Sequence, residues 1–287
     1  MFSPLPPAAA AFPWNIAVPS CVIPAHIPEN AAFLTGKVRE VGLCFFESAS
    51  CLAYGPDVLP AALAELPLQW HVHLPLDLPW QDGGLRAAET ACRLLEKIAY
   101  LSPCGAVLHP PVFSAPVLSP ARPTRQQEAP EPKAVLRETD QTAPQETRHA
   151  ARQQEALTCF ARLWHQHTAV PLLLENTPAC DVTALLPVLE AEDCGVCLDM
   201  GHYLGYGQRA LAAAPALLAR VALVHWSAPG TGDQHCPLTA LTPAQQSAAR
   251  ALAQHLLPQA RHMLEIFSWQ GIEASLPVLE ACLNRPA

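Results

Sequence analysis

Apolar residues fall into eight short runs along the chain, with helically patterned segments between them. The runs are Trp14–Val18, Val41–Phe46, Trp70–Leu74, Ala106–His109, Pro171–Glu175, Val196–Met200, Val221–Trp226 and Met263–Phe267. They are continuous rather than alternating, as strands buried on both faces of a parallel sheet must be. Between them, Leu85–Leu101, Glu146–Gln166, Pro243–Leu257 and Ile272–Leu283 repeat apolar residues at helical spacing. Thr242 supplies an N-cap, with Pro243 at the first helical position. Eight strands alternating with helices predict a single (β/α)8 TIM barrel, α/β in class, spanning residues 1–287. A doubly wound open sheet is the alternative, but the Gly-rich first turn such sheets carry is missing. Residues 110–145 break the rhythm. They are rich in Pro, Gln, Glu, Thr and Ala and read as an extended loop after the fourth strand, either a lid or a plain insertion.

Composition narrows the classes of function. Net charge is −8, and only three lysines are present: Lys37, Lys97 and Lys133. Duplex nucleic acid is held largely through Lys and Arg contacts to phosphate, so nucleic acid is not the expected partner, nor is an anionic membrane. No apolar run reaches the ~18–20 residues that cross a bilayer. The N-terminal stretch MFSPLPPAAAAFPW has no Lys or Arg, unlike a signal peptide. The eleven cysteines are odd in number and scattered, which suits reduced, buried thiols in a cytoplasmic protein. Cys194-Gly-Val-Cys197 is formally a CxxC, read as two core residues because no second CxxC completes a zinc site.

The chemistry lies where the strands end, the face of such a barrel that carries active sites. Strand three ends in His71-Val-His73 and strand four in Leu108-His109. Strand five ends in Glu175-Asn176, and strand six in Asp199, with His202 three residues on. Strand seven ends in His225-Trp226, followed by Asp233-Gln-His235, and strand eight ends in Glu265. Six consecutive strands ending in His, Asp or Glu would converge on one mouth. Carboxylates crowded there need cations, and divalent metal with imidazole ligands is the natural compensator. Nine donors exceed the needs of one ion but fit two or three, with Glu175 bridging. The mix of imidazole and carboxylate suits Zn, Mn or Fe better than Mg or Ca. Clustered divalent ions suit phosphoester hydrolysis.

The motifs VHLP (72–75), LHPP (108–111), LENT (174–177), LDMGH (198–202), VHW (224–226), DQH (233–235) and LE (264–265) resemble the xylose-isomerase-like barrel superfamily, within it the endonuclease IV branch. The resemblance implies a three-metal site, usually zinc. His73, His109 and Glu175 would hold one ion, Glu175, Asp199, His225 and Glu265 the second, and His202, Asp233 and His235 the third. Residues 17–48 and HVHLPLDLPW (71–80) are similar to the cobamide-remodelling phosphodiesterases of this superfamily. They share an S-x-x-I-P-x-x-I-x-x-N opening and a V-H-L-P-L-D signature. That resemblance implies cleavage of the nucleotide-loop phosphoester of a corrinoid. The DNA-repair members carry basic, DNA-inserting loops, which this lysine-poor chain lacks, so abasic-site cleavage is not expected.

Other residues near the strand ends carry weaker expectations. Glu47, Asn176, Tyr203 and Trp226 are candidate substrate contacts, Trp226 and Tyr203 by stacking on a flat ligand. His71 shares a strand face with His73 but lies deeper, as core or support. Asp77 either orients a ligand imidazole or sits in a plain turn. His149, His165, His167, His255 and His262 are read as surface or packing residues. The main competing function is a sugar or cyclitol isomerase or epimerase on the same barrel, with Glu175 and Glu265 as acid and base. A ligand-binding barrel without catalysis is another. In each case the partner is a small molecule, a corrinoid or a phosphorylated compound, and the oligomeric state stays open.

Overall fold

The computed structural model describes residues 16–113, 145–231 and 234–284. Eight strands form one closed, all-parallel barrel: β1 (Ile16–Pro19), β2 (Glu40–Cys44), β3 (Gln69–His73), β4 (Ala106–Leu108), β5 (Leu172–Glu175), β6 (Gly195–Asp199), β7 (Val221–Trp226) and β8 (Arg261–Leu264). Each strand pairs with its neighbours in sequence, and β1 closes on β8. The barrel is therefore the predicted (β/α)8 architecture. Its strands lie within three residues of the apolar runs, and β7 coincides with its run. The first run differs because Trp14 and Asn15 lie outside the described residues. The last is shifted because the chain leaves the sheet at Glu265.

The helices on the outside are α1 (Ile27–Leu34), α2 (Ser48–Ala53), α3 (Gly84–Ile98), α4 (Gln145–His167), α5 (Leu186–Ala191), α6 (Met200–Gly205), α7 (Arg209–Ala212), α8 (Pro215–Leu218), α9 (Pro243–Ala253) and α10 (Trp269–Leu283). The long periodic segments appear as α3, α4, α9 and α10. Thr242 and Gln245 form a reciprocal capping box at the start of α9. α9 ends four residues before the predicted Leu257. α1, α2 and α5 through α8 are too short for periodicity to signal them. α3 and α4 cross where Gly84 faces the backbone of Ala156, with no room for a Cβ. Residues 114–144 of the predicted loop lie outside the described residues. The expected extended loop is also shorter at its end, because α4 already begins at Gln145.

Two cores sit on either side of the sheet. The larger lies between strands and helices, around Trp164, Phe160, Leu94 and Trp226. The smaller lies inside the barrel and takes one side chain from each of six strands: Ala17, Val107, Leu173, Cys197, Leu223 and Met263. β2 and β3 complete this layer with Gly42 and His71. A Cβ on Gly42 would come 2.7 Å from His71 Nε2 and 2.8 Å from Met263 Cε, so any larger residue there must displace those side chains.

This layer determines the face of everything above and below it. Side chains two residues apart on a strand share a face. Two residues beyond Val107, Leu173, Cys197, Leu223, Met263 and His71 stand His109, Glu175, Asp199, His225, Glu265 and His73. The apolar layer thus becomes an ionisable layer one step closer to the C-terminal mouth.

Candidate metal centre

Glu175, on β5, is the hub of the ionisable layer. Its Oε2 lies 3.1 Å from His73 Nε2 and 3.4 Å from His109 Nε2, and its Oε1 lies 3.5 Å from His225 Nδ1 and 3.9 Å from His202 Nδ1. Glu265 Oε2 lies 2.9 Å from His225 Nδ1 and 3.4 Å from His235 Nδ1. Asp199 Oδ1 lies 3.4 Å from His202 Nδ1. Donor atoms of His73, Glu175 and His225 all lie within 4.8 Å of one another, as do those of Glu175, Asp199, His225 and Glu265. Ligands in a tetrahedral shell with bonds of roughly 2.1 Å stand roughly 3.4 Å apart, so this spacing fits shared divalent ions.

The hydrogen bonding also fits. Asp199 Oδ2, both ring nitrogens of His225, His235 Nδ1 and Glu265 Oε2 are buried and make no hydrogen bond of good geometry among the described residues, although His225 Nδ1 and His235 Nδ1 each lie against Glu265 Oε2 as ion pairs. Orphaned buried polar atoms are costly, and five from four residues in one pocket is the donor set a cation would satisfy. The surrounding structure aims the ligands. His73 donates from Nδ1 to the Leu74 carbonyl (2.9 Å) and His202 from Nδ1 to the Asn176 carbonyl (2.7 Å). Those bonds fix the tautomer that leaves a lone pair on Nε2. Asp199 caps α6, its Oδ1 accepting from the His202 backbone N–H, which locks the carboxylate at the strand end.

The electrostatics record the crowding. Burial favours a protonated Glu175, but the imidazoles of His225 and His109 overcome it and hold the carboxyl well below the usual range. Glu265 is likewise held at about 2, with His225 winning over burial. Burial pushes Asp199 up to about 6, and Glu175 and Glu265 add to the rise against His202. Burial would lower His225, but the Cys197 sulfur and the Glu265 and Glu175 carboxylates raise it well above an ordinary imidazole. Three clustered carboxylates, two of them (Glu175 and Glu265) lining a cavity with no Lys or Arg among its described residues, make a site that attracts positive charge.

No protein-family model matches the chain, and no curated protein matches it. Solved structures match over nearly its whole length. A D-tagatose 3-epimerase-like protein shares 13% identity at a TM-score of 0.63, covering 94% of this chain and 97% of that one. The TTHB071 protein from Thermus thermophilus, soaked with ZnCl2, shares 22% identity at 0.58, covering 95% and 100%. Endonuclease IV from Thermus thermophilus shares 18% identity at 0.59, covering 94% and 98%. These solved structures share the closed eight-stranded (β/α)8 TIM-barrel fold of this chain. At these identities the likeness concerns the fold alone.

In this barrel a cavity of about 200 Å³ opens at the C-terminal end of the strands. Its floor includes His73, His109, Glu175, His202, His235 and Glu265, and its wall Cys44, Phe45, Phe46, Leu76 and Phe267. His235 arrives on a two-stranded antiparallel ribbon, Ala228–Pro229 with His235–Cys236. Asp233, the remaining predicted donor, lies outside the described residues.

The four expected substrate contacts do not line this cavity. Trp226 follows the inward His225 and so points outward, where it donates to His262 Nδ1 (3.1 Å) in the outer core. The Asn176 side chain is used up: Nδ2 donates to the Asp199 carbonyl and Gln208 Oε1, and Oδ1 accepts from the Asp199 N–H. Tyr203 packs on the outer core, one helical step round from His202. Glu47 is exposed and accepts from Ser50 Oγ. Asp77 orients no imidazole; it accepts from the backbone N–H and hydroxyl of Ser48, tying the β3 loop to the start of α2. His71 is interior support, donating to Glu40 Oε1 at 2.6 Å. The sequence reading missed the wall. Its signal was available: Phe46 and Phe267 each stand two residues past an inward strand-end residue, Cys44 and Glu265.

No described helix is long and apolar enough to cross a membrane.

Proposed function

We propose that this chain is a metal-dependent phosphoester hydrolase acting on a small molecule. The observation that carries the reading is the pocket of mutually close, buried donor atoms left without hydrogen-bond partners. In this reading His73, His109 and Glu175 hold one divalent ion, and Glu175, Asp199, His225 and Glu265 a second. His202, His235 and Asp233 hold a third. Zinc is the first choice, with manganese or iron as alternatives. Ions bound there supply a polarised phosphoryl group, water activated near neutral pH and a counter-charge for the leaving oxygen.

The chain's own residues do the positioning. Glu175 stands among four imidazoles and so can bridge, which makes it the residue whose charge the site depends on most. Asn176 grips the Asp199 backbone, and the carbonyls of Leu74 and Asn176 orient two imidazoles. Within this class the substrate we assign is the nucleotide-loop phosphoester of a cobamide. That assignment rests on the similarity of residues 17–48 and 71–80 to cobamide-remodelling phosphodiesterases. Those residues shape the mouth. Asn30 accepts from the Val22 and Ile23 N–H groups and donates to the carbonyls of Ile23, Ala25 and His26, holding the loop after β1. The test is incubation of the zinc-loaded chain with a panel of cobamides, with products read by mass. A cobinamide-type product is expected. Recovery of intact cobamides with hydrolysis of other phosphoesters would remove the cobamide and keep the hydrolase.

One observation favours a second reading, a sugar or cyclitol epimerase. Glu175 and Glu265 both line the cavity and could act as acid and base across one carbon. Epimerase-type barrels also match the fold. Metal content separates the two: near three ions per chain favours hydrolysis, and one favours isomerisation.

A further inference from the structure

Large apolar side chains rarely stay exposed on a soluble surface in contact with one another unless something covers them. Eight are exposed among the described residues, and three of these line the single cavity that holds the ionisable layer: Phe46 (56%), Leu76 (61%) and Phe267 (42%). They come from three strand ends, after β2, β3 and β8, so the barrel itself brings them together. The Phe46 and Phe267 rings stand 6.4 Å apart at 55°, and the Phe267 ring also meets the edge of His235 at 5.5 Å. One continuous cavity therefore has an ionisable floor and an aromatic wall. No Lys or Arg joins that lining among the described residues, so nothing there would track a polyanionic backbone.

We infer that Phe46, Phe267 and Leu76 are the specificity wall of this site: they seat a flat, apolar half of the substrate while its phosphoester lies on the floor. The ligand class is a phosphodiester with one anionic centre joined to a planar apolar group. The inference rests on the hydrolase reading of the floor. In the reaction, water adds to phosphorus, the phosphorus–oxygen bond to the leaving group breaks, and the water's protons end on the departing alcohol and the product phosphate or in solvent.

The test uses the zinc-loaded full chain and two chromogenic diesters with the same leaving group, methyl p-nitrophenyl phosphate and 2-naphthyl p-nitrophenyl phosphate. The wild type is expected to favour the naphthyl ester in kcat/KM by about tenfold, the scale of aromatic pairing. In Phe46→Ala/Phe267→Ala that ratio falls to about one, while Leu85→Ala, exposed but outside the cavity, keeps the wild-type ratio. Both changes are at exposed positions, and thermal melting checks that the fold is kept. An unchanged ratio in the double variant overturns the wall and leaves the hydrolase standing. Should neither diester be cleaved, the cobamide incubation decides the hydrolase reading, and equilibrium dialysis of 2-naphthyl phosphate decides the wall alone. Binding about tenfold weaker in the double variant supports it, and equal binding overturns it.

Discussion

The two ends of the barrel interior both bury charge, and they balance it in opposite ways. At the N-terminal end Glu40, fully buried, accepts from His71 Nδ1 and from the guanidinium of Arg261, which also reaches Cys104. Burial favours a protonated Glu40, yet His71 and Arg261 together bring its pKa below the ordinary carboxylate value. At the C-terminal end Glu175, Asp199 and Glu265 share imidazoles with no guanidinium or ammonium among the described cavity residues. Between them lies the apolar layer of Ala17, Val107, Leu173, Cys197, Leu223 and Met263. The difference teaches where to look for function. A buried carboxylate neutralised by the chain's own cation is part of the scaffold. A group of them left to be neutralised from outside is a binding site.

The largest effect should come from Glu175. Glu175→Gln keeps the shape and removes the shared charge, so it is expected to abolish turnover and lower zinc affinity by about 100-fold. Metal analysis after dialysis and a hydrolysis assay read both. Full activity in that variant would refute its bridging role. At the other end, Arg261→Met leaves Glu40 without its cation and should destabilise the fold by about 3 kcal/mol in urea unfolding. Zinc content should change far less than stability, because Arg261 bonds Glu40 and Cys104 rather than the proposed ligands, and among the described residues only His71, whose ring stands 6.5 Å from that of His225, links the two ends. Loss of zinc together with stability would mean the ends are one network.

A buried imidazole outside the cavity, bonded to Trp226, supplies the control. Burial alone lowers His262 to about 4. Between pH 6.5 and 4 the unfolded chain protonates this histidine and the folded chain does not. Stability is thus full above pH 6.5 and falls as the solution is acidified toward pH 4, by about 3 kcal/mol for this group. His262→Gln should flatten that part of the pH profile, and an unchanged slope would contradict the assignment. The smallest effect belongs to Asn176, whose side chain touches the site only through Asp199, while its backbone carbonyl holds His202. Asn176→Ala should weaken zinc binding by about tenfold and leave the remaining ligands in place.

Much of this is legible in the amino-acid sequence itself. Continuous apolar runs identify strands buried on both faces, and their ends announce His73, His109, Glu175, Asp199, His225 and Glu265 because polar residues there break a strong pattern. Orientation was harder. Trp226 and Asn176 directly follow inward residues, and on a strand the next residue faces the other way, so both leave the cavity. The aromatic wall stayed hidden because Phe46 and Phe267 read as the apolar tails of their strands. Which atoms go unbonded, the strongest support for metal, depends on side-chain geometry that spacing does not encode.

The central claim is that the C-terminal layer is built to take several divalent ions. The most direct measurement is the zinc content of the full chain after loading and gel filtration, by mass spectrometry of the metal, beside Glu175→Gln. More than one ion per chain, near three, is expected, with a clear drop in the variant. Less than one ion per chain in the wild type, or equal content in the two proteins, would contradict it.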